Sequence, residues 1–152
     1  MKFTVESNEL QKSLIKISGV VPSKSTLPIL ENILFSLTNN TLVLVATDME
    51  ISMSAILEVR GSEDGSIAVP AKRVMDTLRA LPDAQIVFHA DILTNKIKMI
   101  TENGEYNLIG EKSQDYPAIP EFKGGSEYQF DGALIDSMIS KTVFSVSTDE
   151  LR

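Results

Sequence analysis

The chain contains no cysteine and no tryptophan, and its single histidine is His89. Without thiols there is no disulfide framework, no thiolate nucleophile and no cysteine-bound metal, and one imidazole is too little for a zinc site. Long apolar runs are missing too. No window approaches the roughly 18 uninterrupted apolar residues of a membrane span. The opening MKFTVESNEL turns polar too early to hold a signal peptide's apolar stretch, so the expected location is the cytoplasm. There is no glycine-rich phosphate loop, no GxSxG elbow and no histidine partner for any serine. The six Phe and three Tyr are scattered, which gives little support to a platform for stacked bases. Together these absences argue against an enzyme, a cofactor or a metal site.

What is present is enough apolar material for a core: 43% of 152 residues are hydrophobic, sufficient for one ordinary domain, or one domain and the start of another. KFTVE alternates like a strand, and in SNELQKSLIKISGVV the residues Leu10, Leu14, Ile17 and Val21 recur on one helical stripe. Three runs of period two follow, Ile29 to Leu37, Thr41 to Thr47 and Ile51 to Val59, with turns at Asn39-Asn40 and near Thr47-Asp48. In the third run Ile51, Met53, Ala55, Leu57 and Val59 share one face. The order then restarts. GSIAVP reads as strand, AKRVMDTLRALP as a helix between Pro70 and Pro82, and AQIVFHADI, NKIKMIT and EYNLIGEK as three more strands. After the loop YPAIPEFKGGSE the pattern opens a third time with YQFD and the helix GALIDSMISKTV.

A strand-helix-three-strand unit recurring about every sixty residues is the signature of an internal repeat. The expectation is an α+β fold: a first domain over residues 1–121 built from repeats 1–62 and 63–118, a linker at 122–126, and the truncated opening of a second domain at 127–152. The helix at 132–143, apolar at Leu134, Ile135, Met138 and Ile139, needs a sheet to cover, so the chain reads as a fragment. An arm at 127–152 that folds back on the first domain is the alternative.

The formal net charge is −7. Over the helical segments 8–21, 71–81 and 132–143, the bases Lys12, Lys16, Lys72, Arg73, Arg79 and Lys141 stand against Glu9, Asp76 and Asp136; these segments sum to +3 and the remainder carries −10. Lys24 extends the basic set just after the first helix. Long basic side chains also solvate ordinary exposed helix faces, yet both complete repeats keep them clear of the apolar stripe while strands and loops carry the acid. A basic helical side suits a polyanion. The competing reading is a non-catalytic α+β interaction scaffold whose basic helices bind an acidic partner. Asp48 and Glu50, two apart in ATDMEIS, read as a solvated turn rather than a metal site, since no further ligand is close in sequence. His89 alternates opposite Ile86, Phe88 and Ala90 and reads as surface or half-buried structure, not a base.

MKFTVE, STLPILENILF (25–35), VATDMEISM (45–53), VPAKRVMDTLRALP (69–82) and DYPAIP (115–120) together resemble the N-terminal part of the bacterial sliding clamps, the beta subunits of DNA polymerase III. The resemblance spans the whole chain in order. It implies the DNA-clamp fold, two strand-helix-three-strand halves per domain, with two protomers closing head to tail into a ring around duplex DNA, and a replicative polymerase and clamp loader as partners. It further implies that Lys24, Lys72, Arg73 and Arg79 face the DNA, Lys24 standing where arginine is common. Tyr106 and Leu108 would be apolar edge-strand positions at the protomer interface, pointing outward, and Arg152 would border the partner-peptide cleft. Asp149 departs from the neutral residue the family places there.

Overall fold

Each repeat gives its first strand away. In the computed structural model, which describes residues 1–119, 124, 126 and 128–147, strand β1 (Lys2–Glu6) does not join the strands that follow it. Strands β2 (Asn32–Thr38), β3 (Thr41–Thr47) and β4 (Ser52–Glu58) instead share a sheet with β6 (Gly65–Pro70), the opening strand of the second repeat, which pairs with β2. Strand β1 joins that repeat's β7 (Gln85–Asp91), β8 (Lys96–Thr101) and β9 (Gly104–Ile109). Two short strands complete the exchange: β5 (Arg60–Glu63) pairs with β1, and β10 (Glu111–Lys112) pairs with β6. The result is two antiparallel five-stranded sheets, ordered β5-β1-β7-β8-β9 and β10-β6-β2-β3-β4. Gly110 permits the crossing from β9 to β10, because a Cβ there would lie 2.6 Å from the Ala68 carbonyl oxygen.

The core lies between the sheets. Phe88 stacks on Phe3 at 4.8 Å and on Phe35 at 5.4 Å, joining both sheets through three fully buried rings. Helix α1 (Ser7–Ser18) buries Leu10, Leu14 and Ile17 in this core, and α2 (Ala71–Ala80) buries Val74 and Leu78. A second, smaller cluster of Val45, Ala68 and Tyr116 forms apart from it. The Tyr116 hydroxyl reaches the carbonyls of Val45 (3.2 Å) and Asn32 (3.3 Å), tying residues 113–116 to β2 and β3, and burial pushes its pKa up.

Three sequence expectations change. The run from Ile29 begins as a short 3-10 turn, Pro28–Glu31, because the Asn32 side chain donates to the carbonyls of Pro28 and Ile29. On β4 only the Leu57 end is covered by α1; Met53 and Ile51 stay exposed although they share its face. YQFD, residues 128–131, forms no strand; a strand needs a ladder partner, and that unit has none among its described residues. The chain divides into units Met1–Ile119 and Pro120–Arg152. The second contains helix α3 (Gly132–Ser140), capped by Asp131 accepting from the Leu134 amide at 3.1 Å. No helix among the described residues is long and apolar enough to cross a membrane.

Candidate nucleic-acid interface

The helices are fixed at their ends. Ser7, buried at the start of α1, bonds to the segment that follows α2: its amide donates to the Ala84 carbonyl (2.9 Å), its hydroxyl donates to the Pro82 carbonyl (3.2 Å) and accepts from the Ala84 amide (3.0 Å). The other ends meet across a cleft of about 640 Å³ whose walls include Ser18, Val21 and Ser23 from the α1 side and Lys72, Arg73 and Met75 from α2. The two helices therefore run antiparallel, side by side, each with its apolar stripe in the core.

That arrangement gathers charge. Lys24 adjoins Ser23 at the cleft, so its chain position brings it to the end where Lys72 and Arg73 stand, and all three are exposed. Among the described residues no carboxylate lies within 4.0 Å of Lys12, Lys16, Lys24, Lys72 or Arg73. Arg79 sits at the far end of α2 and is shared with Asp76 at 3.2 Å, both side chains exposed. Lys12 and Lys16 lean the other way, lining a smaller cleft of about 350 Å³ with Glu9 and Glu58. The unopposed positive end is thus Lys24, Lys72 and Arg73, with Glu31 the acidic member of the same cleft wall. Exposed cations without partners hold a polyanion by long-range attraction and counterion release, and select no base sequence.

Three carboxylates away from that end, Asp48, Asp91 and Glu105, serve structure. The Asp48 carboxylate accepts from the Ile51 (2.7 Å) and Glu50 (2.9 Å) amides, which hold its pKa below the ordinary value. The Asp91 carboxylate is likewise held down, first by the Thr94 hydroxyl. Glu105 is lowered first by its 2.8 Å bond to Lys98. No cluster of metal-ligating side chains occurs among the described residues. His89 is half-buried on β7, opposite Lys2 and Lys98.

Residues 1–120 match the family described as DNA polymerase III beta subunit, N-terminal domain. This chain belongs to that family. Among curated relatives, it is 31% identical to the beta sliding clamp of Vibrio cholerae over 153 residues, covering 100% of this chain and 42% of the relative. It is 29% identical to that of Chlamydia muridarum, covering 41% of it. To the Vibrio harveyi beta sliding clamp sequence it is 32% identical, covering 95% of this chain and 100% of the other. Among solved structures, a sliding clamp (DNA polymerase III subunit beta) from Bartonella birtlesii bound to griselimycin superposes with a TM-score of 0.92 at 28% identity, over 100% of this chain and 41% of that one. The chain spans about two fifths of most of these beta subunits.

Within this family frame the sequence expectations separate. Lys24, Lys72 and Arg73 come together at one end of the helical layer, while Arg79 stands apart and paired. The edge position of β9 agrees with the expectation, but the expected outward aim of Tyr106 and Leu108 does not. Leu108 is 9% exposed and belongs to the main core, with Tyr106 packed against that core. They pair with the buried Ile97 and Met99 of β8, so they share the inward face, and the residues facing out are Glu105, Asn107 and Ile109. Arg152 and Asp149 lie outside the described residues. Sequence reasoning passed over the Ser7 tie and the pairing of Arg79. The latter was visible as an Asp-Arg pair three apart on a helix.

Proposed function

We propose that this chain is the N-terminal part of a ring-shaped processivity clamp whose helical face looks towards an encircled DNA duplex. The observation that carries this reading is the segregation of charge. Lys24, Lys72, Arg73 and Arg79 stand exposed on and beside α2 in a chain of net charge −7. A clamp must keep the duplex centred and still slide, which calls for positive potential inside and an exterior that does not adhere to DNA. On this reading the protein is not an enzyme and uses no cofactor. It works in the cytoplasm with double-stranded DNA, a replicative polymerase and a clamp loader, and it closes as a homodimer.

Residues 127–152 open a second clamp domain. The exposed Leu134, Met138 and Ile139 of α3 would be covered by a sheet, as the stripes of α1 and α2 are, and Arg152 would border a partner-peptide cleft. The protomer contact runs along β9. Its two-residue turn makes Thr101 and Gly104 a bonded pair, so by alternation Glu105, Asn107 and Ile109 aim their backbone groups at the free edge, while Tyr106 and Leu108 hold the strand from behind. In the whole protein, Asn107→Pro should block that edge without removing a β8–β9 bond. Sedimentation should then show folded monomer with its far-ultraviolet spectrum kept, and an intact dimer would take β9 out of the interface. The encircling itself is tested on circular DNA: the loaded protein should be retained on a nicked circle and lost once the circle is cut. Equal retention on both would sink the ring.

A further inference from the structure

We propose that Asn103, at the apex of the β8–β9 hairpin, is a site of spontaneous deamidation that converts it to aspartate or isoaspartate. Asn103-Gly104 is the sole Asn-Gly step in the sequence. A glycine has no Cβ to hinder approach of its nitrogen to the preceding carboxamide. Glu102 and Asn103 are the two exposed residues of the turn between Thr101 and Gly104, and among the described residues the Asn103 carboxamide makes no hydrogen bond. Three of the other asparagines are held by their side chains. Asn32 donates to Pro28 and Ile29, Asn40 accepts from the Gly61 amide, and Asn107 donates to Glu105 at 3.2 Å.

The chemistry is closed on the chain and water. The Gly104 nitrogen bonds to Cγ of Asn103, the Cγ–NH2 bond breaks, and ammonia leaves with the proton from the Gly104 amide. Water then opens the resulting succinimide at either carbonyl, giving aspartate or isoaspartate. The hairpin opposes the first step. The Thr101 hydroxyl donates to the Gly104 carbonyl and accepts from the Asn103 amide, each at 3.3 Å, and Thr101 faces Gly104 as the last pair of the ladder. Attack therefore proceeds when this terminal pair of an edge strand frays, the least protected place in a sheet. The product places a new carboxylate between Glu102 and Glu105. On the isoaspartate branch it also adds a backbone carbon to a two-residue turn, which displaces the Thr101–Gly104 pair and loosens the start of β9.

The test follows the folded 152-residue chain at neutral and mildly alkaline pH by mass analysis of the tryptic peptide Met99–Lys112, with isoaspartate detected by enzymatic methylation. Asn103 should gain about one dalton, faster at the higher pH, while Asn107 in the same peptide stays intact. Gly104→Ala serves as the control, since its Cβ would come no closer than 3.7 Å to any neighbour, the nearest being the Tyr106 side chain at ordinary contact distance. It should keep the fold and slow the conversion by about an order of magnitude. In the aged fraction, hydrogen exchange should rise at Gly104–Tyr106 and remain unchanged in β7. Conversion of Asn107 ahead of Asn103, or an equal rate in Gly104→Ala, overturns the proposal, and neither result bears on the ring.

Discussion

Replacing Lys24, Lys72, Arg73 and Arg79 with glutamine should flatten the salt dependence of duplex binding and leave the fold intact, because all four side chains are exposed and none packs in the core. Each phosphate neutralised by a lysine or arginine contributes about −0.9 to the slope of log affinity against log salt. Lys24, Lys72 and Arg73 count in full, and Arg79, shared with Asp76 at 3.2 Å, counts in part. The slope should therefore become shallower by about 3, between about 2.7 for three contacts and about 3.6 for four. Over a fourfold rise in salt this corresponds to about 60-fold less attenuation of affinity in the variant than in the parent. Fluorescence anisotropy on a labelled linear duplex measures it, at low ionic strength where screening is weakest. At physiological salt the isolated chain should bind weakly or undetectably. The control is Lys96→Gln with Lys98→Gln, which removes two charges from the β8 strand. An unchanged slope in the quadruple variant would mean that these four side chains neutralise no phosphate, and equal flattening by the strand pair would mean that binding follows net charge and not the helical face. Submicromolar affinity at physiological salt would point to a conventional DNA-binding domain.

Three further outcomes are expected. Asp76→Asn frees Arg79 and should steepen the same salt slope by up to about 0.9, which the same anisotropy series reads directly. Tyr116→Phe keeps the ring in its cluster but deletes the hydroxyl bonds to Val45 and Asn32; urea unfolding should show a loss of about 1 kcal/mol. Asp48, whose pKa is depressed by the Ile51 and Glu50 amides, contributes stability that is present above the ordinary value of 3.8 and lost as pH falls through the depressed one. Amide shifts of Glu50 and Ile51 should report that acid transition, and Asp48→Asn should abolish it.

Periodicity made the elements legible. Leu10, Leu14 and Ile17 announced α1, Val74 and Leu78 announced α2, and the Thr41–Thr47 strand came out at its stated bounds. Pairing was not legible, because KFTVE carries the same alternation whichever sheet it enters, and its partners lie some eighty residues downstream at Gln85–His89. The face of Tyr106 and Leu108 was missed for a related reason: alternation says that Tyr106 and Leu108 share a side, and only the buried Ile97 and Met99 across from them say which side is the core. The charge asymmetry was readable from helical spacing. Its division between the Lys24–Lys72–Arg73 end and the neutralised Arg79 depended on which helix ends meet, which is tertiary information.

The exchange of opening strands also dictates the order in which the protein can be completed on the ribosome. Strand β1 is made first and meets only the short β5 before its main neighbour β7, which comes about eighty residues later; at about 5–20 residues per second this leaves it without β7 for about 4–16 s. Throughout that interval Phe3, destined to stack on Phe88, is an apolar strand residue without a core, beside an unmade sheet. The first repeat cannot settle ahead of the second, since β2 likewise awaits β6. Nascent chains shorter than about ninety residues are thus aggregation-prone clients for chaperones, and folding should proceed as one late step rather than repeat by repeat.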